Sequence, residues 1–373
     1  MKLFYPEIFT EFTCIGLNCN DNCCRMGWDI EIDDDTYRFY KSLDDDMGKR
    51  LISAITEEDG CHYLMHEGGC PFLNEKGLCS VLLKYGEDKI SEICANHPRF
   101  FEWFGGYKEA GTGLACEESA RLWLCADKIV FSQCEIDEED DDLEFDEDNL
   151  ERMLRARTAL INLAQNRNFS ISQRLKFIVV YAVLAQDAFD FEDFQAFEEF
   201  TNLLLTDEEQ LFRQLANFPA ENSKSKDSIA VDLLDYLQGL DFLGDLIPEM
   251  LKSAKKNINE INLKVKDFAE FYPEAERQYE NILVYYIFRY FIKGVRSYDI
   301  FSKLIFAVIS VWTIRILDTE KWLKSENFGI SEQIEIVKEY SKEIDYSFDN
   351  TQSIFEDVYT TPALSAQKLI KIL

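Results

Sequence analysis

From residue 149 to the end of the chain, apolar residues recur at intervals of three and four, and Pro and Gly fall mostly between the periodic stretches. That spacing predicts a succession of amphipathic helices. Asn149 reads as an N-cap, with an amphipathic run from Arg152 to Ala164 behind it. Ser170 reads as a second N-cap, opening a helix to Ala188 with Leu175, Ile178, Val179, Ala182 and Leu184 as its apolar positions. Further helical stretches are expected near 190–205, 207–217, 228–240, 241–257, 275–294, 298–319, 331–346 and 363–372. The longest largely apolar run, Leu304 to Ile314, lies between Lys303 and Arg315 and is too short to span a bilayer, so it fits a buried helix.

The first 134 residues read differently. Trp28 to Ile32 alternates like a short strand, and Asp35-Thr36-Tyr37 opens a helix. Cys70 to Leu73 and Gly77 to Ser80 suggest two short extended pieces joined by a turn. Gly86 to Cys94 suggests a helix that stops before His97-Pro98. Residues 135–148 carry 11 acids in 14 positions, the signature of a solvated linker or loop. The expected fold is mainly α with minor β. A loop-rich cysteine-cluster domain over 1–134 docks on a helical domain over 149–373, with the acidic segment 135–148 between them.

Hydrophobic residues make up 47% of the 373, enough for a real core. A net charge of −31 argues against a grip on nucleic-acid phosphate, which needs clustered Lys and Arg. No extended apolar stretch follows Met1-Lys2-Leu3, which points away from a signal peptide and toward the cytoplasm, with no membrane partner.

All 11 cysteines fall within the first 134 residues, and in a reducing compartment such crowding points to metal rather than to disulfides. The candidate ligands are Cys14, Cys19, Cys23 and Cys24 in one group, Cys70, Cys79 and Cys94 in a second, and Cys116 beyond. Thiolates suit zinc or an iron–sulfur cluster, and irregular loops between the ligands favour the cluster. Eight thiols exceed the need of one cluster, which leaves open two sites or one site with structural cysteines. Adjacent Cys23 and Cys24 are expected to point different ways. Cys61, Cys125 and Cys134 are weaker candidates, and Cys125, in the apolar run Leu122 to Ala126, is expected in the core. His97, three residues after Cys94, is a possible ligand or sulfur hydrogen-bond donor, whereas His62 and His66 read as ordinary surface residues. Neither a dinucleotide fingerprint nor a phosphate-binding loop occurs, and Gly111-Thr112-Gly113 is too short to count as one.

Phe12-Thr13-Cys14-Ile15-Gly16, Cys19 and Cys23-Cys24-Arg25-Met26-Gly27-Trp28 resemble the start of the flagellin lysine-N-methylase (FliB) family. The resemblance continues through Cys70-Pro71-Phe72-Leu73, Leu78-Cys79, Gly86-Glu87, Cys94 with His97-Pro98-Arg99, and Leu114-Ala115-Cys116 with Ser119-Ala120-Arg121. In the helical half, Tyr279-Glu280-Asn281, Leu283 to Tyr286 and Phe288-Arg289 are similar to the family's C-terminal helix. The resemblance implies a 4Fe-4S cluster, with zinc as the alternative metal, and methyl transfer from S-adenosylmethionine to lysines of flagellin. The methyl donor is expected in a cleft between the cysteine domain and the helices, lined by Trp28, Arg99, Trp103 and the Tyr285-Tyr286 pair. The competing expectation is a non-enzymatic iron–sulfur or zinc scaffold whose helical half binds a protein partner.

Overall fold

A computed structural model describes residues 1–21, 23–25, 30–64, 69–138, 146–206 and 208–373. The chain is mainly helical with two small sheets, as the periodicity requires. Strands β1 (Lys2–Pro6), β2 (Ile30–Ile32), β3 (Ile55–Glu58), β4 (Cys61–Leu64), β5 (Arg99–Phe104), β6 (Tyr107–Thr112) and β7 (Phe131–Glu135) all lie in the cysteine-bearing region. One sheet runs β5-β6-β1-β7 and the other β2-β4-β3. In the first, β1 pairs parallel with β6 and antiparallel with β7, Phe4 opposite Gln133.

The two sheets belong to different cores. The four-stranded sheet packs on the helical body: Phe4 stacks on Phe131 at 5.2 Å, and Phe131 meets Phe288 of the Glu274–Tyr290 helix at 5.2 Å. A buried ion pair between Glu109 of β6 and Arg157 of the Glu147–Ala164 helix fastens the same interface, with Arg157 also donating to the Tyr107 hydroxyl at 2.8 Å. Phe104, Leu114, Trp123 and Leu124 therefore share one apolar cluster with the helical half. The three-stranded sheet builds a second, small cluster of Ile30, Ile32, Tyr40, Leu51, Leu64, Phe72 and Val81, with Cys70 and Cys79 packed against it.

Local chemistry explains several element ends. Ser170 forms a capping box with Gln173, opening the Ile171–Asp190 helix where expected. Asp33 caps the Asp34–Ser42 helix through Thr36 N–H. Asn74 folds the turn between Cys70 and Cys79 by accepting from the Lys76 and Leu78 amides, and Leu73 bridges to Cys79.

Several expectations are corrected. The helix expected over Gly86 to Cys94 is broken. Gly86, at φ +96°, ends the Ser80–Tyr85 helix, and a new helix, Glu92–Asn96, starts only after the Ser91 cap. Asp146, not Asn149, caps the Glu147–Ala164 helix, because its carboxylate accepts from the Asn149 amide. The helix expected over 241–257 runs Leu246–Phe271, and a helix at Phe348–Asp357 was not anticipated. Cys125 is exposed at the end of the Glu117–Cys125 helix rather than in the core. His62 lies on β4 stacked on Tyr37 at 3.5 Å, while His66 and residues 139–145 of the acidic segment lie outside the described residues. Among the described residues, no helix is long and apolar enough to cross a membrane.

Candidate functional site

A cavity of about 410 Å³ opens where the cysteine-bearing region meets the helical body, lined in part by Glu31, Asp33, Glu92, His97, Arg99, Phe100, Phe101, Arg289 and Tyr346. Its walls come from β2, the Glu92–Asn96 helix, β5, the end of the Glu274–Tyr290 helix and the residue after a π-helical turn, Ser341–Asp345. Carboxylates stand with β2 and the Glu92–Asn96 helix, guanidinium groups on β5 and the long helix, and aromatic faces between them.

Each wall is fixed by identifiable contacts. Asp33 divides its carboxylate between the amides of Thr36 and Glu92, both at 2.9 Å. Burial pushes its carboxyl up, but the two amides outweigh that and hold it below the usual range. Arg289 is held from behind by Asp345, with Nε 3.4 Å from Oδ1, and donates to the Tyr285 hydroxyl at 2.9 Å. Tyr285 in turn donates to Asp345 at 2.6 Å, as do Tyr290 and, at 2.8 Å, Ser341. The guanidinium lies 4.7 Å from the centres of both Phe100 and Tyr346. Burial and the neighbouring Arg289 charge press the His97 imidazole down to about 4, so it is neutral at pH 7.

Two glycines shape this wall. A Cβ on Gly113 would overlap the Tyr346 hydroxyl, and one on Gly111 would overlap the Phe100 ring. The Gly111-Thr112-Gly113 run therefore serves close packing beneath the cavity.

Of the residues expected in the cleft, Arg99 lines the cavity and also covers the Phe12 ring at 5.0 Å. Trp103, further along β5, instead faces Lys108 at 4.4 Å. Tyr285 and Tyr286 are fully buried core residues; Tyr285 meets Trp123 edge-on at 5.2 Å and supports Arg289 from below. Trp28 lies outside the described residues. Sequence reading missed Arg289 as a site residue, together with Asp33, Asp345 and Tyr346. A lone arginine in the apolar stretch Ile282 to Phe291 is the signal that marked the first of these.

The cysteines all carry thiols and fall into two neighbourhoods. Cys24, Cys70, Cys79 and Cys94 lie within electrostatic reach of one another, and the Cys70 amide donates to the Cys24 carbonyl at 2.7 Å. Cys23 and Cys24 hydrogen-bond through their side chains instead of diverging as expected, which raises the Cys24 thiol, with burial adding to it. Cys14, Cys19 and Cys116 form the other neighbourhood. There the Cys19 thiol donates to Glu117 at 3.6 Å, and Glu117 also accepts from the Asn20 amide at 2.8 Å. Burial, with Glu117 adding to it, pushes Cys19 up to about 11, and burial alone dominates the rise of Cys70 and Cys116 to about 11. Soft thiol donors suit zinc or iron, yet among the described residues no group of three or more His, Cys, Asp or Glu is placed to hold a metal ion. Among the described residues the candidate thiols therefore do not form a coordination shell as they stand.

A family model described as the FliB lysine N-methylase C-terminal domain matches residues 157–371, more than half of the chain. No curated protein and no solved structure matches.

Proposed function

The chain belongs to the FliB lysine N-methylase family, and we propose from this that it methylates lysine side chains of flagellin at the cavity beside Arg99, with S-adenosylmethionine as donor. The observation that supports this reading is the opposition of charges across one cavity, Arg99 and Arg289 against Glu31, Asp33 and Glu92, with Phe100, Phe101 and Tyr346 between. The donor and a lysine together present a carboxylate, a sulfonium and ammonium groups, and such a lining suits all of them.

Arg99 and Arg289 bind the donor's carboxylate, and the Asp345 support of Arg289 fixes that end before anything binds. Glu31, Asp33 and Glu92 receive the lysine as an ammonium. A free lysine has a pKa of about 10.4, so its proton must leave first, passing through Glu31 or Glu92 to solvent. S-Adenosylmethionine supplies the methyl carbon: the nitrogen lone pair forms the N–C bond as the S–C bond breaks and its electron pair stays on sulfur. The methylated nitrogen then sheds its extra proton by the same route. The aromatic faces exclude water and stabilise positive charge on either side of the transfer.

A 4Fe-4S cluster, or zinc, belongs to this proposal as a staple for the small core, which is a modest apolar cluster on its own. Cys24, Cys70, Cys79 and Cys94 would hold it only once their side chains turn inward, since no described group of them is placed around a metal ion. No step of methyl transfer is assigned to it.

Titration calorimetry of the full chain with S-adenosylmethionine tests the proposal. Saturable binding is expected, weakened at least about tenfold in Arg99→Ala, the loss of one charged hydrogen-bonding group. Absence of binding in a folded parent protein would favour the scaffold reading.

A further inference from the structure

We propose that a cluster of tyrosines and carboxylates around Gln186 binds the methylated ammonium group of a lysine side chain, at a surface site separate from the cavity. Three segments meet there: the end of the Ile171–Asp190 helix, the turn before the Phe301–Ser325 helix, and the turn after the Phe348–Asp357 helix. Gln186 is buried and joins the first two. Its amide nitrogen donates to the Asp190 carboxylate at 2.7 Å and to the Tyr298 carbonyl at 3.0 Å. Its amide oxygen accepts from the Ile300 and Phe301 amides at 2.7 and 2.9 Å. Asp190 is thereby fixed beside the turn that carries Tyr298 and Asp299. Asp299 accepts from the Tyr359 hydroxyl at 2.7 Å, which brings in the third segment, and the Tyr359 ring meets Phe301 at 5.5 Å. Tyr298 holds a left-handed backbone at φ +53°, uncommon outside glycine, with its ring 5.9 Å from Phe189. None of these residues lines the cavity. Arg296, two residues before Tyr298, donates to the Trp103 carbonyl at 2.6 Å, toward the far end of β5 from Arg99.

The cluster faces solvent. Tyr298 and Tyr359 are 57% and 56% exposed, and Phe191, next to Asp190, is 84% exposed. Single exposed aromatics are ordinary, but these gather around two carboxylates. Lys303 stands 3.5 Å from Asp299, yet that lysine is nearly buried and its ammonium lies 3.3 Å from the centre of the Phe355 ring. Asp190 is exposed and forms no ion pair among the described residues, and the exposed Asp187 and Glu192 add negative charge to the same helix end. Negative charge and aromatic faces therefore meet at the surface without a cation to answer Asp190.

That combination favours a cation with apolar surface. An unmodified ammonium is compact and strongly hydrated, so it loses more on leaving water. Methyl groups replace part of that hydration and rest on the tyrosine faces, where the ring quadrupole attracts the charge. A mono- or dimethylated nitrogen keeps an N–H, which Asp190 accepts. The choice of lysine as the carrier rests on the methyl-transfer reading, because methylated lysine is the product of that reaction; the geometry of the cluster does not depend on it. Binding here holds an already modified segment on the protein while another lysine enters the cavity.

The test uses the full chain and synthetic peptides, without S-adenosylmethionine and without turnover. A fluorescent peptide carrying one dimethyl-lysine among glycines and serines is titrated by anisotropy beside its unmodified twin. The dimethyl form is expected to bind at least about threefold more tightly, the scale of an exposed cation–π contact. Tyr298→Ala combined with Tyr359→Ala should abolish that preference with circular dichroism unchanged, and Tyr359→Phe, which keeps the ring, should retain it. Asp190→Asn, an exposed change that leaves the rings in place, should weaken the dimethyl peptide by a similar factor. Equal affinity for the two peptides in the parent protein, or a preference that survives in the double tyrosine variant, would overturn the proposal. Nothing is methylated in this assay, so its failure leaves the methyl-transfer reading standing, and a failure of methyl transfer leaves the measured preference in place.

Discussion

Arg289 and Asp345 form an ion pair in which the carboxylate is wholly inaccessible and the guanidinium still reaches the cavity wall. The carboxylate also accepts from Tyr285, Tyr290 and Ser341, so its removal leaves a buried cation and several donors unpaired. Asp345→Ala is expected to cost about 3–5 kcal/mol in urea unfolding, and Asp345→Asn less, since the amide keeps part of the network. A cost below about 1 kcal/mol for the alanine variant would contradict this role.

Gly113 and Tyr346 are in direct apposition, and Pro98 O accepts from both, from the Gly113 amide at 2.9 Å and the Tyr346 hydroxyl at 3.4 Å. Gly113→Ala should push Tyr346 from the wall. The expected result is a stability loss of about 1–3 kcal/mol from overpacking and weaker binding of S-adenosylmethionine. Unchanged binding would show that Tyr346 does not shape the donor site.

Asp318 lies in the core away from the cavity, accepting from Tyr279 at 2.7 Å, and burial raises its carboxyl to about 8. The unfolded carboxyl titrates near 3.8, so the stability conferred by the neutral folded form is fully present below that pH and is lost as pH rises to about 8. Asp318→Asn should flatten the unfolding midpoint between about pH 4 and pH 8 and raise it relative to the parent at pH 8. A parallel profile in the two proteins would show that Asp318 is ionised throughout.

The helices were legible because their apolar faces repeat and their caps are local, as at Ser170. Boundaries failed where a better capper stood nearby, Asp146 ahead of Asn149, or where glycine changed the chain's hand at Gly86. The helix at Phe348–Asp357 gives a weak signal: Phe348 is exposed, and Ile354 is its one fully buried large apolar residue. Arg99 was readable from its place after His97-Pro98, but the charge that supports Arg289 lies far along the chain at Asp345, and periodicity cannot join the two. Tyr285 and Tyr286 were misplaced because an aromatic pair in an apolar helix serves the core first. Cysteine spacing likewise could not bring Cys24 to Cys70, whose amide donates to the Cys24 carbonyl only in the folded chain.

The most direct test of the central claim is incubation of the purified chain with flagellin and methyl-labelled S-adenosylmethionine, followed by peptide mass spectrometry. Label is expected on flagellin lysine side chains, reduced at least about tenfold by Arg99→Ala in a folded protein. Label absent from lysine with the parent enzyme, or full labelling by the Arg99 variant, would contradict it.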